Sequence, residues 1–397
     1  MTYTGPMERI EALRPDMQAW RRDLHAHPEI AYQEERTSGL VAEKLRAWGL
    51  DVHTGIGKTG VVGTLKGRHP GERAIGLRAD MDALPLQETN TFEHRSQNEG
   101  RMHACGHDGH TAMLLGAAKA MAEAPEFAGT VHFIFQPAEE GEAGARAMIE
   151  DGLFQRFPVE SVWGLHNWPG QDVGTFDVRP GPIMAATDTF RITLTGHGGH
   201  GAMPHLGTDV VTAAASLVSA AQTIVSRTIN PIDSAVVSVT MIHGGEAFNA
   251  IPSTVTLGGT ARSLSPQVRD TIEQRLGEMA HHIAAAHGVS AEYHYQRRYP
   301  PTVNAPDETA LAVEVMRSIV GEANVNPDGQ PTMGGEDFAF MLQEKPGCYV
   351  RLGAGPGQAG CMLHNTGYDF NDDILTLGAT YWVRLVQRLL GPDAPPA

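Results

Sequence analysis

Cys105 and His107 stand two residues apart in Met102-His-Ala-Cys-Gly-His-Asp-Gly-His110. A thiolate and a neutral imidazole are ligands for zinc and its first-row neighbours. Two ligands leave such a site open, so the others must come from elsewhere in the chain. The candidates are the adjacent carboxylates Glu139 and Glu140, His166 in Gly-Leu-His-Asn, and His364 in Leu-His-Asn-Thr-Gly-Tyr-Asp. Cys105, His107, Glu140, His166 and His364 suit two ions that share a bridging ligand and keep positions open for water. Two such ions, about 3.5 to 4 Å apart, can act together on a nucleophilic oxygen and a carbonyl. Glu139 then stays free to take a proton.

Each residue alone has a bland reading. A lone Cys is more often a small buried hydrophobe than a ligand. Glu is mostly exposed, so a Glu-Glu pair is ordinarily a solvated turn. Here Pro137, Ala138 and Gly141 flank the pair and an apolar run precedes it, which disfavours the solvated turn. For His197 and His205 turn or surface roles are expected. His281 and His282 lie on a predicted helix far from the motifs and read as structural, as do Cys348 and Cys361.

The elements that must position these residues alternate. Residues 7–50 read as helices, with Ile10, Leu13 and Met17, then Leu40, Val41, Leu45 and Trp48, at helical spacing around a break at Pro28. Apolar runs at 60–65, 74–78 and 131–135 read as buried strands, and the Ala-, Leu- and Met-rich stretch 111–122 as a helix, which implies an α/β sheet. Ligands of open α/β sheets sit beyond the carboxyl ends of the strands. Asp80 and Asp82 follow one strand and Glu139-Glu140 another, so parallel pairing would bring both segments to one edge.

At 397 residues the chain is long enough for two domains. From about 187 the pattern becomes strand, helix (208–227), strand (235–242), strand (254–262), helix (265–287), strand (290–295), the β-α-β-β-α-β order of a ferredoxin-like unit. The expected division is therefore a catalytic domain of 1–186 and 301–397 interrupted by an inserted domain of 187–300. The insertion would separate His166 from His364 in sequence only.

A net charge of −16 argues against a nucleic-acid partner, because that affinity rests on Lys and Arg. Three cysteines without dense spacing argue against a disulfide framework. The first residues carry no apolar leader pattern, so a cytoplasmic location is expected. The stretch 210–225 is interrupted by Thr212, Ser216, Ser219, Gln222 and Thr223 and is expected to fall short of a membrane span.

Five motifs in order, Arg78-Ala-Asp-Met-Asp82, the Cys105 stretch, Pro137-Ala-Glu-Glu-Gly141, Met333-Gly-Gly-Glu-Asp-Phe338 and His364 with Tyr368-Asp-Phe-Asn-Asp372, carry a family likeness. The array resembles the aminoacylase and glutamate carboxypeptidase family of binuclear metallopeptidases. Within it the chain is similar to the amidohydrolase branch of hippurate hydrolases, N-acyl amino acid deacylases and plant auxin-conjugate hydrolases. The resemblance implies a zinc-peptidase-like α/β catalytic domain with a mixed sheet flanked by helices, plus an inserted ferredoxin-like α+β lid and dimerisation domain. It further implies two divalent ions per subunit, of Mn, Zn, Co or Ni, with Cys105 bridging and His107, Glu140, His166 and His364 completing the shells. Glu139 would be general base and then proton donor.

Many relatives have a metal-binding His where this chain has Asp80, and an Asp where it has Cys105. His107 is expected to supply the missing imidazole, Asp82 to orient a ligand from behind, and Asp80 not to ligate. By the same resemblance His200 stabilises the oxyanion across a homodimer, while Asn249 and Arg262 hold the substrate carboxylate. The implied reaction is hydrolysis of the amide of an N-acyl amino acid, hippurate-like or N-acetylated, by metal-activated water. An aminopeptidase or dipeptidase of the same fold, and an inert metal- or ligand-binding module, are the alternatives; Glu139 beside a full ligand set disfavours the module.

Overall fold

Parallel strand pairing decides where the polar residues gather. In the computed structural model, which describes residues 6–356 and 362–391, strand His69–Asp80 lies parallel to Ala128–Gln136 with Asp80 opposite Gln136. The segments that follow, Met81-Asp82 and Pro137–Gly141, therefore leave the sheet at the same edge. Strand Ser161–Pro169 is parallel to His69–Asp80 on its other side, with Gly164 opposite Arg78, so His166 emerges at that edge too.

These three strands form the centre of an eight-stranded mixed sheet. Its order is Asp51–Ile56, Gly60–Lys66, Ala128–Gln136, His69–Asp80, Ser161–Pro169, Gly347–Gly355, Phe176–Asp177, Val325–Asn326. Gly60–Lys66 pairs antiparallel to Ala128–Gln136, whereas Gly347–Gly355 runs parallel to Ser161–Pro169. Helices Arg14–Ala26, Glu35–Ala47, His107–Glu123 and Leu375–Leu390 flank it. Past its first turn His107–Glu123 is rich in Ala, Leu and Met, and the helix is buried except at Lys119, Ala122 and Glu123. Its side chains share one core with Met17, Val41, Phe133 and Trp382.

Three features differ from the sequence expectation. The helix begins at His107, four residues before Thr111, so His107 and His110 occupy its first turn. Strands Ser161–Pro169 and Gly347–Gly355 were not anticipated; both are buried on both faces and lack the alternation that marks a strand. The helical stretch Val210–Thr228 is long and apolar enough, by length and composition, to cross a membrane. However, Val210, Ala213, Ala214, Leu217, Ala221 and Ile224 turn one face of it into a protein core.

The chain divides into two compact units: Met1–Gly181 with Val303–Gln330 and Asp337–Ala397, and Pro182–Thr302 with Pro331–Glu336. The second contains an antiparallel sheet ordered Ala235–His243, Thr254–Ser263, Ala186–Thr195, Ser290–Tyr299. Numbered along the chain these strands lie 2-3-1-4, the ferredoxin-like arrangement, with helices Val210–Thr223 and Pro266–Ala286 packed on the sheet. Alternation in Phe190-Arg-Ile192-Thr-Leu194 sends the apolar residues inward. Asp209 caps the first helix through the N–H groups of Val211 and Thr212, and Ser265 with Pro266 starts the second. Beneath the sheet Asp188 is buried, accepting from Arg269 at 2.9 and 2.5 Å, from the Tyr295 hydroxyl at 2.8 Å and from the Arg298 N–H at 3.1 Å.

Candidate metal centre

Gly106 makes the turn that presents Cys105 and His107 together. It sits at φ +95°, and a Cβ there would lie 2.3 Å from Asn167 Oδ1, so glycine alone fits. Cys105 is buried, with Sγ 3.4 Å from His166 Nε2. The carbonyl of Asn167 lies 2.6 Å from His166 Nδ1, and the carbonyl of Asp82 lies 2.9 Å from His107 Nδ1. A carbonyl can only accept, so both Nδ1 atoms carry a proton and Nε2 is the nitrogen each ring can offer a cation. His107 Nε2 is buried and makes no hydrogen bond.

A strained turn sets the two carboxylates. Ala138 and Gly141 bracket them at φ +55° and +87°. The Ala138 N–H donates to Glu34 Oε1 at 2.9 Å, and its carbonyl accepts from Gly144 at 3.0 Å. Asp82 Oδ1 accepts the Glu139 N–H at 3.0 Å and Oδ2 the Glu140 N–H at 2.9 Å. The Asp337 N–H reaches Glu139 Oε1 at 3.4 Å. Glu140 Oε1 lies 3.2 Å from Nε2 of His364, a residue at φ +61° whose N–H donates to the Ala104 carbonyl at 2.8 Å.

Ligand atoms of Cys105, His107 and His166 fall within 4.8 Å of one another, as do those of Cys105, Glu140 and His364, and those of His107, Glu139 and Glu140. The three groups interlock through Cys105, His107 and Glu140, so all five proposed ligands and Glu139 converge. The donor set of a thiol, imidazoles that present Nε2 and carboxylates fits borderline-soft divalent ions. Charge points the same way. Burial pushes the Cys105 thiol well above its ordinary value, and the neighbouring Glu140, Glu139 and Asp80 push it further. Burial would lower His107, but Asp80 and Asp82 outweigh it and raise the imidazole to about 10. Burial, with His110 beside it, holds His166 well below its ordinary value.

Sequence reasoning did not single out His110, Arg78 or Asn167 for any role. Asp80 Oδ2 is bound by Arg78 Nη1 at 2.7 Å and Oδ1 by His110 Nδ1 at 2.6 Å, with His107 Nε2 3.7 Å away. His110 Nε2 lies 2.6 Å from Asn167 Oδ1. Burial raises the Asp80 carboxyl, yet His107, Arg78 and His110 together hold it well below the usual carboxylate range. The available signal was the strand period, which puts Arg78 and Asp80 on one face.

The remaining candidates belong to the second unit. His200, on the short strand Gly199–His200, pairs with Ala250 and is exposed; its Nδ1 accepts the Ala202 N–H at 3.1 Å, leaving Nε2 outward. Asn249 is exposed beside it, its carbonyl accepting from Gly201 at 2.8 Å. Arg262 is half-buried and donates from Nη1 to the carbonyls of Ala261 at 3.1 Å and Asp188 at 3.5 Å. Among the described residues no carboxylate forms an ion pair with it. His197, His205, His281 and His282 are exposed, Cys348 is buried and free, and Cys361 lies outside the described residues.

Comparison with known proteins gives a consistent picture. Residues 76–388 match the model of peptidase family M20/M25/M40. The chain is 40% identical over 378 residues to a hippurate hydrolase of Campylobacter jejuni, covering 95% of this chain and 97% of that one. It is 39% identical over 387 residues to thermostable carboxypeptidase 2 of Saccharolobus solfataricus, covering 94% and 97%. Among solved structures it superposes with a TM-score of 0.84 on the YXEP protein of Bacillus subtilis, described as a dinuclear metal binding peptidase; identity is 33%, with 96% and 99% covered.

Proposed function

The chain belongs to peptidase family M20/M25/M40, and on that premise we propose that it hydrolyses N-acyl amino acids, hippurate-like or N-acetylated, to a carboxylic acid and a free amino acid. The observation that carries this reading is the convergence of Cys105, His107, Glu140, His166 and His364 around Glu139. Those five would hold two divalent ions, with Cys105 shared between them; Mn, Zn, Co and Ni all suit the donor set. Ions bound there supply Lewis acidity to the scissile carbonyl and acidify a water.

Glu139 is placed to accept a proton from the attacking water and to donate it to the leaving nitrogen as the amide C–N bond breaks. Asp82 fixes where the carboxylate can reach by holding the Glu139 and Glu140 peptides. His200 contributes Nε2 to the developing oxyanion, where a donor has most effect. Asn249 and Arg262 hold the substrate carboxylate; that no carboxylate among the described residues comes within ion-pair distance of the guanidinium supports this. Hippurate hydrolase and carboxypeptidase both describe cleavage next to a residue that keeps a free carboxylate.

The inserted unit serves as lid and dimerisation domain, with His200 reaching the partner's site in a homodimer. Exposed Met241 and Ile242 on strand Ala235–His243, which forms the sheet edge, and exposed Val211 on the adjoining helix support such an interface. The free buried thiols of Cys105 and Cys348 support a reducing, cytoplasmic setting.

The test is hydrolysis of hippurate, N-acetyl amino acids and unblocked dipeptides by protein loaded with Mn, Zn, Co or Ni. Preference for blocked substrates is expected. Faster cleavage of dipeptides would move the reading to a peptidase, and no turnover by fully metal-loaded protein would make the chain a binding module.

A further inference from the structure

We propose that Arg21 is a positioning residue for the metal centre, locking the segment that carries His107 to the segment that carries His364. The proposal rests on the reading of those two histidines as metal ligands. Arg21 lies on helix Arg14–Ala26 and is 0% exposed. Its Nε is 3.2 Å from Asp108 Oδ2 and 3.4 Å from Asp372 Oδ1. Its Nη2 donates to the Asp369 carboxylate and, at 2.9 Å, to the Phe370 carbonyl. One guanidinium thus hydrogen-bonds Asp369 and Phe370, shortly downstream of His364, and forms ion pairs without hydrogen bonds with Asp108, directly after His107, and with Asp372.

The surroundings repeat the same connection. His25, one turn further along the helix, places Nδ1 2.8 Å from Asp108 Oδ2. The Phe370 ring lies so close to Gly109 that a Cβ there would come within 2.1 Å, so the two segments are flush. The Ala104 carbonyl accepts the His364 N–H. His364 itself sits at φ +61°, a conformation that a non-glycine residue keeps only when its surroundings impose it.

Stability alone does not account for this cluster. Taking an Arg and several carboxylates out of water is costly, and well-packed apolar residues commonly serve at least as well. What the ionic cluster supplies is position: the directed Nη2 donors fix the His364 segment, while the guanidinium charge, with the His25 contact, holds Asp108 of the His107 segment beside it. A metal site needs that alignment, because its ligands must be held to within about 0.5 Å. Arg21 touches none of the five proposed ligands, so its effect is exerted through Asp108, Asp369, Phe370 and Asp372.

The experiment compares R21K, R21Q and D369N with R269Q, which breaks a buried ion pair in the second unit. Metal-free protein is equilibrated with buffered Mn, Zn or Co; bound metal per chain, the visible spectrum of the Co-loaded form and the melting temperature of the metal-free form are recorded. For R21Q and D369N, affinity for at least one ion should fall about tenfold or more, the usual cost of losing support behind a ligand, and the Co bands should shift. R21K should recover part of both. R269Q should lower the melting temperature with metal content and spectrum unchanged. Wild-type affinity and spectrum in folded R21Q or D369N, or an equal metal loss in R269Q, would overturn the proposal. If H107A and H364A lose metal while R21Q keeps it, the failure is Arg21's alone. A wild-type chain that takes up no metal would sink the ligand reading and this proposal with it.

Discussion

Asp82 holds Glu139 by its backbone: Oδ1 accepts the Glu139 N–H at 3.0 Å while Oδ2 takes the neighbouring Glu140 N–H at 2.9 Å. The carbonyl of the same aspartate accepts from His107 Nδ1. One residue therefore sets the proposed base, one carboxylate ligand and one imidazole ligand. Asp82→Asn replaces an acceptor with an NH2 group facing a peptide N–H, whereas the carbonyl bond to His107 survives. Metal affinity should fall about 10- to 100-fold, the usual range for a group supporting ligands, and kcat should fall with it. Metal titration and steady-state kinetics on one preparation check this; unchanged values in both would remove Asp82 from the role.

Glu139→Gln tests the proton-transfer role separately. Glutamine fits the same turn and keeps the peptide N–H that Asp82 accepts, so metal content should stay at the wild-type level. Turnover should drop by about 10²- to 10⁴-fold, the range for a positioned acid–base group. Metal analysis beside hydrolysis assays decides the matter, and a fully active variant would exclude Glu139 as the base.

Metal uptake should be coupled to pH. In the metal-free protein burial and nearby carboxylates raise the Cys105 thiol, and Asp80 and Asp82 raise His107 to about 10 against its desolvation. Both shifts are upward, so both groups hold their protons at neutral pH and a cation must displace them. Affinity should therefore rise with pH between about 6 and 9, with up to about two protons released per chain loaded. The His107 shift has a second consequence. A raised pKa contributes stability to the metal-free fold that is complete below the ordinary imidazole value and is lost as pH rises through about 10. Calorimetry in buffers of different ionisation enthalpy measures the proton count; pH-independent affinity without proton release would contradict this account.

The convergence of the five proposed ligands was legible because each lies in a short polar motif, most at the end of an apolar run, and parallel pairing carries several of them to one edge. The start of helix His107–Glu123 was not legible, since Gly106 at its N-cap offers no capping side chain. Strand Ser161–Pro169 was hidden because its run Trp-Gly-Leu-His-Asn-Trp is buried on both faces and shows no period of two. Arg21, Asp108 and Asp369 have the composition of solvated surface, and they are buried where helices Arg14–Ala26 and His107–Glu123 pack together and meet the segment that follows His364. His110 reaches Asp80 and Asn167 across long stretches of sequence that no local pattern connects.

In the second unit Arg269 is the main charged partner of buried Asp188, through a two-toothed pair at 2.9 and 2.5 Å. The Tyr295 hydroxyl and the Arg298 N–H satisfy further positions on the same carboxylate. Arg269→Gln would leave that carboxylate without its guanidinium, a loss of about 3 to 5 kcal/mol for a buried pair. Denaturant unfolding followed by a probe in this unit should show the change, and a shift below about 1 kcal/mol would mean that water reaches Asp188.

If His200 acts across a dimer, each active site needs Glu139 from one chain and His200 from the other. His200 is suited to such reach: it is exposed, and its Nδ1 is occupied by the Ala202 N–H, which leaves Nε2 to face outward. His200→Ala and Glu139→Gln chains should each be nearly inactive alone. In a mixed dimer, one of the two sites pairs an intact Glu139 with an intact His200, and the other carries both defects. Random re-pairing of equal amounts makes half of the dimers mixed, so about a quarter of wild-type activity should return in a two-fold assembly. Recovery should appear only after subunits are exchanged and should follow the fraction of mixed dimers. Absence of any recovery, with exchange demonstrated by mass-tagged chains, would confine His200 to its own subunit or remove it from the reaction.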